Sequence, residues 1–211
     1  MSELVFDCTG AKADAYAVAP TLVFRLRIAE TTGQPIGGIA LRAQLRIEPL
    51  KRRYSDAEAE RIGDLFGERP RWGDTMKPLQ FATVAQMVPA FSGSVEVDLP
   101  VPLTYDFDVA TAKYFHGLED GEIPFVLLFS GTTFLDERGT LSIEQIPWHK
   151  ETSYRLPVAV WREAMDQHFP DSTWVRLRRD TLNDLQRFKS RLTLPTWDDT
   201  IEALLRLAEA S

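Results

Sequence analysis

Three histidines, one cysteine and two alternating aspartates are the side chains in this sequence whose types suggest chemistry. His116 is followed by Glu119 and Asp120, placing an imidazole and two carboxylates in one short segment. Those are donor types a zinc-like cation accepts, although a tetrahedral site needs further ligands that the local sequence does not supply. The three stand as weak metal candidates, and the plainer reading is a polar loop after an aromatic strand ending in Tyr114-Phe115. His149 beside Trp148 reads as exposed turn, and His168 as a helix end, where an imidazolium complements free carbonyls. Cys8 has only Lys12 nearby. Without a stronger cationic neighbour or a helix N-terminus its thiol stays protonated, so a buried, inert cysteine is expected. Asp106 and Asp108 share one face of a strand, as an acid/base pair or, more simply, as solvated carboxylates. Motifs of fixed spacing are missing: no Walker-type phosphate loop, no nucleophile elbow at Ser130-Gly131, no paired-histidine zinc helix and no calcium loop. No catalytic residue is assigned and no cofactor is expected.

Residues suited to contact rather than bond-making are more plentiful. Lys51-Arg52-Arg53 form one basic cluster; Arg176, Arg178, Arg179, Arg187, Lys189 and Arg191 form another. The chain as a whole carries 24 Lys+Arg against 31 Asp+Glu, a net charge of −7, which disfavours nucleic acid and anionic lipid. Clustered arginines on such a background suit an acidic protein partner and would guide its approach. Of the five tryptophans, Trp72 and Trp148 fall in loops rich in Pro, Gly and charge, the setting of interface anchors. Trp161 and Trp197 fall at inward helical positions. The candidate partner-binding residues are therefore Arg71, Trp72, Trp148, Arg176, Arg178, Arg179 and Arg187.

These side chains need a scaffold, and 211 residues with 44% hydrophobic and 26% charged content can supply one. Leu22, Phe24, Leu26 and Ile28 alternate with Arg25 and Arg27. Ile39, Leu41, Ala43, Leu45 and Ile47 alternate with Arg42, Gln44, Arg46 and Glu48. Period-two patterns bury one strand face, and the turn residues 31–38 between them predict a hairpin. Val95, Val97 and Leu99, then Tyr105, Phe107 and Val109, then Phe125 to Phe129, and then Leu141 and Ile143 continue the strand theme. Ser55-Asp56-Ala57-Glu58 matches a capping box opening a helix over 55–66, with Gly67 as its stop. From Pro157 the period becomes helical: Val158, Trp161, Ala164 and Met165; then Leu182, Leu185, Phe188 and Leu192; then Trp197, Ile201, Leu204, Leu205 and Ala208. The expected fold is α+β: an N-terminal antiparallel β-sandwich over 1–156 with one inserted helix. A C-terminal part of about three short helices, 157–211, is expected to pack on it. One cysteine excludes an intrachain disulfide. The first residues lack a signal-peptide pattern, and no apolar run approaches the roughly 20 residues of a membrane span. A cytoplasmic, membrane-free protein is expected.

Phe24-Arg25-Leu26, Leu45-Arg46-Ile47-Glu48-Pro49, Arg53-Tyr54-Ser55-Asp56, Arg71-Trp72-Gly73-Asp74, Thr104-Tyr105-Asp106-Phe107 and Leu156-Pro157-Val158 together resemble an actinobacterial domain-of-unknown-function family. Members of that family often occur near nickel-iron hydrogenase genes. The resemblance runs along nearly the whole chain and carries no catalytic residue or cofactor to transfer. It implies a shared process rather than a mechanism. The leading expectation is a non-catalytic interaction or accessory protein, with hydrogenase subunits or maturation factors as the implied partners. A small-molecule or carbohydrate-binding sandwich, stacking ligand on Trp72, Trp148 and Tyr105, comes second. An enzyme assembled from distant residues comes third.

Overall fold

The structure, a computed structural model, describes residues 2–103, 109–137, 140–170 and 177–209. Tyr105, Asp106, Asp108, Trp174, Arg176 and the turn residues Arg138 and Gly139 lie outside the described residues. The chain divides into two compact units, Met1–Pro170 and Asp171–Ser211.

The first unit holds two antiparallel sheets, with strands numbered in chain order. One contains β1 (Leu4–Ala13), β2 (Thr21–Glu30) and β5 (Ser94–Pro102) in the order β1-β2-β5. The other contains β3 (Ile36–Ile47), β4 (Leu79–Val88), β6 (Glu122–Glu137), β7 (Thr140–Gln145) and β8 (Glu151–Pro157). Its order is β4-β3-β6-β7, and β8 also pairs with β6. The alternating residues of β2 and β3 are buried as their period requires. They meet across the layers: Phe6 of β1 stacks on Phe129 of β6 at 4.3 Å, and Phe24 of β2 meets Phe125 edge-on at 5.6 Å.

The expected hairpin between β2 and β3 does not form. Strand β2 pairs with β1 and β5, while β3 pairs with β4 and β6, so residues 31–35 cross from one sheet to the other. Glu30, only 5% exposed, explains the departure. Its carboxylate accepts hydrogen bonds from the backbone N–H groups of Thr32 (3.0 Å), Gly33 (2.7 Å) and Gln34 (2.9 Å), and from that of Glu3 just before β1 (3.1 Å). A side chain thus takes the amides that a hairpin ladder would have used.

Strand β6 is long enough to serve two neighbours on one edge: Glu122–Leu128 pairs with β8, and Thr132–Glu137 with β7. Gly131 sits at the changeover with φ +136, and a Cβ there would lie 2.0 Å from the Ala40 carbonyl oxygen. Only glycine fits.

Helix α1 (Asp56–Phe66) starts at the expected capping box, with Ser55 and Glu58 satisfying each other's backbone N–H, and stops at Gly67. It is not the only insertion. A short helix α2 (Trp72–Thr75) and a longer α3 (Val109–Gly117) accompany it. The latter corrects the reading of Val109 and of Tyr114-Phe115 as strand. Thr111, Tyr114, Phe115 and Leu118 are all buried, and their spacing is a helical stripe rather than an alternation.

Helix α4 (Val158–Asp166) buries Val158, Trp161 and Ala164 in the same core as the sheets. It therefore belongs to the first unit, which ends at Pro170. The second unit contains α5 (Arg179–Arg191) and α6 (Trp197–Glu209). No described helix is long and apolar enough to cross a membrane.

Candidate functional site

The most concentrated polar group of the first unit forms where α1 begins. Pro49–Lys51 make a single 3₁₀ turn capped by Arg52, whose side chain is buried while Lys51 and Arg53 stay exposed. The Arg52 side chain is 7% exposed and that of its partner Glu58 is 6% exposed. The guanidinium donates to Glu58, to the Asp120 carbonyl at 2.6 Å and to the Glu122 carbonyl at 3.2 Å. Glu58 also accepts from the backbone N–H groups of Ser55 at 3.0 Å and Glu119 at 2.9 Å. Burial alone would raise the Glu58 carboxyl, but those two amides and the Arg52 charge outweigh it and hold it below the usual carboxylate range. The Tyr54 hydroxyl donates to the Pro49 carbonyl at 2.7 Å and sits 2.7 Å from the Tyr114 hydroxyl. Burial pushes Tyr54 up to about 12 and Tyr114 further still, so both phenols stay protonated at neutral pH.

Over this group lies a cleft of about 720 Å³ lined by Lys51, Arg53, Ser55, Asp120, Glu122 and Arg155 among others. Its chemistry is ionic and of both signs. The carboxylate beneath it is already fully hydrogen-bonded, and the phenols are locked in their neutral form. The group joins the 3₁₀ turn, α1, the segment after α3 and the start of β6.

The weak metal candidates do different jobs. His116 packs edge-on against the Trp161 ring at 5.2 Å, and burial lowers its pKa. Glu119 pairs with Arg61 at 2.7 Å, and Asp120 accepts its own neighbour's amide, Gly121 N–H, at 2.6 Å. No group of three or more His, Cys, Asp or Glu able to hold a metal ion occurs among the described residues. Cys8 is buried, and burial pushes its thiol up to about 12.

The contact candidates separate into buried and exposed. Trp72 is only 9% exposed. Its indole N–H donates to the Gly67 carbonyl at 2.9 Å, its ring meets Tyr54 edge-on at 5.3 Å, and Arg69 lies over it. It closes the end of α1 instead of offering a docking face, and it cannot be a stacking platform for a sugar. Arg71 beside it is exposed. Trp148 is 90% exposed, on the turn between β7 and β8. The turn itself is fixed: Lys150 N–H donates to the Pro147 carbonyl at 3.1 Å, Phe129 N–H to the Lys150 carbonyl at 2.9 Å, and the Lys150 ammonium pairs with Glu3, just before β1. Arg178, Arg179 and Arg187 are exposed in the second unit, where Arg187 pairs with Asp184 at 3.1 Å. Sequence reasoning missed Arg52 as the buried member of its basic cluster. The capping box flagged Glu58, but its tie to the amide of Glu119, far along the chain, left no local trace.

The first unit is a two-sheet α+β scaffold with a buried polar clasp and an exposed loop tryptophan. The chain belongs to the family of unknown function DUF6084, whose family model matches residues 1–211. No curated protein matches it. Among solved structures it is similar to a β-glucosidase from Kluyveromyces marxianus at 10% identity, covering 73% of this chain and 15% of that one, with a TM-score of 0.28. Similar, too, is β-glucosidase 3B from Thermotoga neapolitana, at 14% identity, 73% and 17% coverage and a TM-score of 0.26. A putative late embryogenesis abundant protein matches at 12% identity, 74% and 72% coverage and a TM-score of 0.28. The chain spans less than a fifth of the length of either β-glucosidase.

Proposed function

We propose that this chain is a non-catalytic accessory protein of the cytoplasm that docks on another protein, with Trp148 as the anchor of its first unit. The observation that carries the proposal is the fully presented indole on a turn held by two backbone hydrogen bonds and an ion pair. A large apolar side chain kept in water on a rigid support loses little conformational entropy on binding, and buried tryptophans dominate interface energies. Arg71 adds exposed positive charge suited to an acidic partner surface. The resemblance noted in the sequence puts nickel-iron hydrogenase subunits or maturation factors first among partners to try. The test is isolation of the tagged chain from its native host under gentle conditions, with Trp148→Ala alongside. A stoichiometric partner retained by the native chain and lost by the variant supports the reading; a chain that emerges alone opposes it.

A second reading, a small anionic ligand in the cleft above Arg52, is favoured by one observation. Arg53 and Arg155 line that cleft and form no ion pair among the described residues. Calorimetric titration with inorganic phosphate and with citrate checks it, and an absence of heat in both removes it.

A further inference from the structure

Taken by itself, the second unit is a helical pair that does not cover most of its apolar stripe. Leu192 caps α5, Thr193 turns the chain with φ 54, and Leu194 N–H donates back to the Lys189 carbonyl at 3.0 Å. The Lys189 ammonium clasps the turn through the Leu194 and Pro195 carbonyls. Thr196 and Asp199 then form a reciprocal cap that opens α6. The pair is thus well fastened at its turn, but its spacing-defined stripe is not covered. Leu182, Leu192, Trp197, Ile201 and Leu205 are each at least 40% exposed, so the pair by itself does not cover Trp197, Ile201 and Leu205, the residues expected to face inward. The only buried side chain described in α5 or α6 is Thr200. Two short helices in this state are marginal, because helices of this length depend on burial of an apolar face.

The charges identify the cover. Helix α5 carries Arg179, Arg187, Lys189 and Arg191 against Asp180 and Asp184. Helix α6 carries Asp198, Asp199, Glu202 and Glu209 against Arg206. One helix is basic and the other acidic. An acidic partner would match α5 and be repelled by α6, and a basic partner the reverse. A second copy related by a two-fold axis satisfies both at once, since each α5 then faces the other copy's α6 around a four-helix bundle, with like helices on the diagonals. We infer that the second unit is a self-association module, through which two copies of this chain pair by their α5–α6 stripes.

The test is sedimentation of the full chain in a dilution series. The native chain is expected at twice its single-chain mass, shifting toward monomer as salt is raised. Ile201→Asp with Leu205→Asp, both at exposed positions, should give a monomer whose first unit keeps the circular dichroism of its sheets. Two charge-reversed chains decide the geometry. One carries Arg187→Glu and Arg191→Glu, the other Glu202→Lys and Glu209→Lys. Each alone is expected to be monomeric, and a mixture to form a one-to-one heterodimer. A native chain that is monomeric throughout, whether because its own first unit or nothing at all covers the stripe, overturns the inference. So does a dimer that survives the Ile201 and Leu205 substitutions, or a mixture that stays monomeric.

Discussion

Arg52 and Glu58 form the only ion pair among the described residues in which both side chains are buried, and the pair ties residues 52–58 to residues 119–122. Removing one member strands the other's charge away from water, at a cost of about 3–5 kcal/mol. Arg52→Met and Glu58→Gln should each lower stability by roughly that amount in urea unfolding. Arg52→Met combined with Glu58→Leu should cost clearly less than the two single losses added together, because no buried charge is left without a partner.

Glu30 gives the fold its acid sensitivity. Burial by itself would raise its carboxyl, but hydrogen bonds from Thr32, Glu3 and Gln34 outweigh burial and hold it at about 2, down from 4.5. A depressed folded value means the unfolded chain takes up the proton first, so stability rises with pH across that interval. The contribution is complete above about 4.5 and is lost as pH falls toward about 2. Glu30→Gln should cost about 1–3 kcal/mol at neutral pH. It should also flatten the acid limb of a plot of unfolding free energy against pH; an unaltered limb would show that another carboxylate sets it.

At Gly131 the close approach of Ala40 leaves no room for a methyl group. Gly131→Ala should destabilise by more than about 2 kcal/mol, from both the clash and the positive φ. Gly10→Ala, at a site with nothing within 4 Å, serves as the control and should stay within about 1 kcal/mol of the native chain or improve on it. Thermal melts of the two proteins make the comparison.

Cys8 should resist modification. Its thiol is buried and held near 12, and only the thiolate reacts. A chromogenic disulfide reagent should label the chain at the rate of unfolding, and rapid stoichiometric labelling of the folded protein would contradict the burial.

The strands of the first unit were legible in the sequence because Leu22 to Ile28 and Ile39 to Ile47 alternate without interruption. Their pairing was not. A turn-rich stretch ordinarily closes a hairpin, and only the position of Glu30 against the amides of residues 32–34 reveals a crossover between layers. Strand β4 escaped notice because the register shift between Leu45 and Arg46 of its neighbour breaks its alternation, and its residues Leu79–Val88 carry no charge to mark an outer face. In α3 the aromatic pair Tyr114-Phe115 suggested strand, whereas the stripe that includes Thr111 and Leu118 is helical. The capping box at Ser55 and Glu58 was read directly, since both its bonds are local. The clasp built on it was hidden, since Arg52 reaches the carbonyls of Asp120 and Glu122 only after folding. Loop tryptophans looked alike in sequence, and burial separates them: Trp72 has a nearby carbonyl and ring to close on, while Trp148 has a turn that holds it outward.

The most direct measurement is partner retention by Trp148→Ala. This substitution removes an exposed ring and should leave stability within about 0.5 kcal/mol of the native chain. The account predicts that a partner recovered stoichiometrically with the native chain is absent from the equally stable Trp148→Ala preparation. Equal recovery with both, or no partner with either, would contradict it.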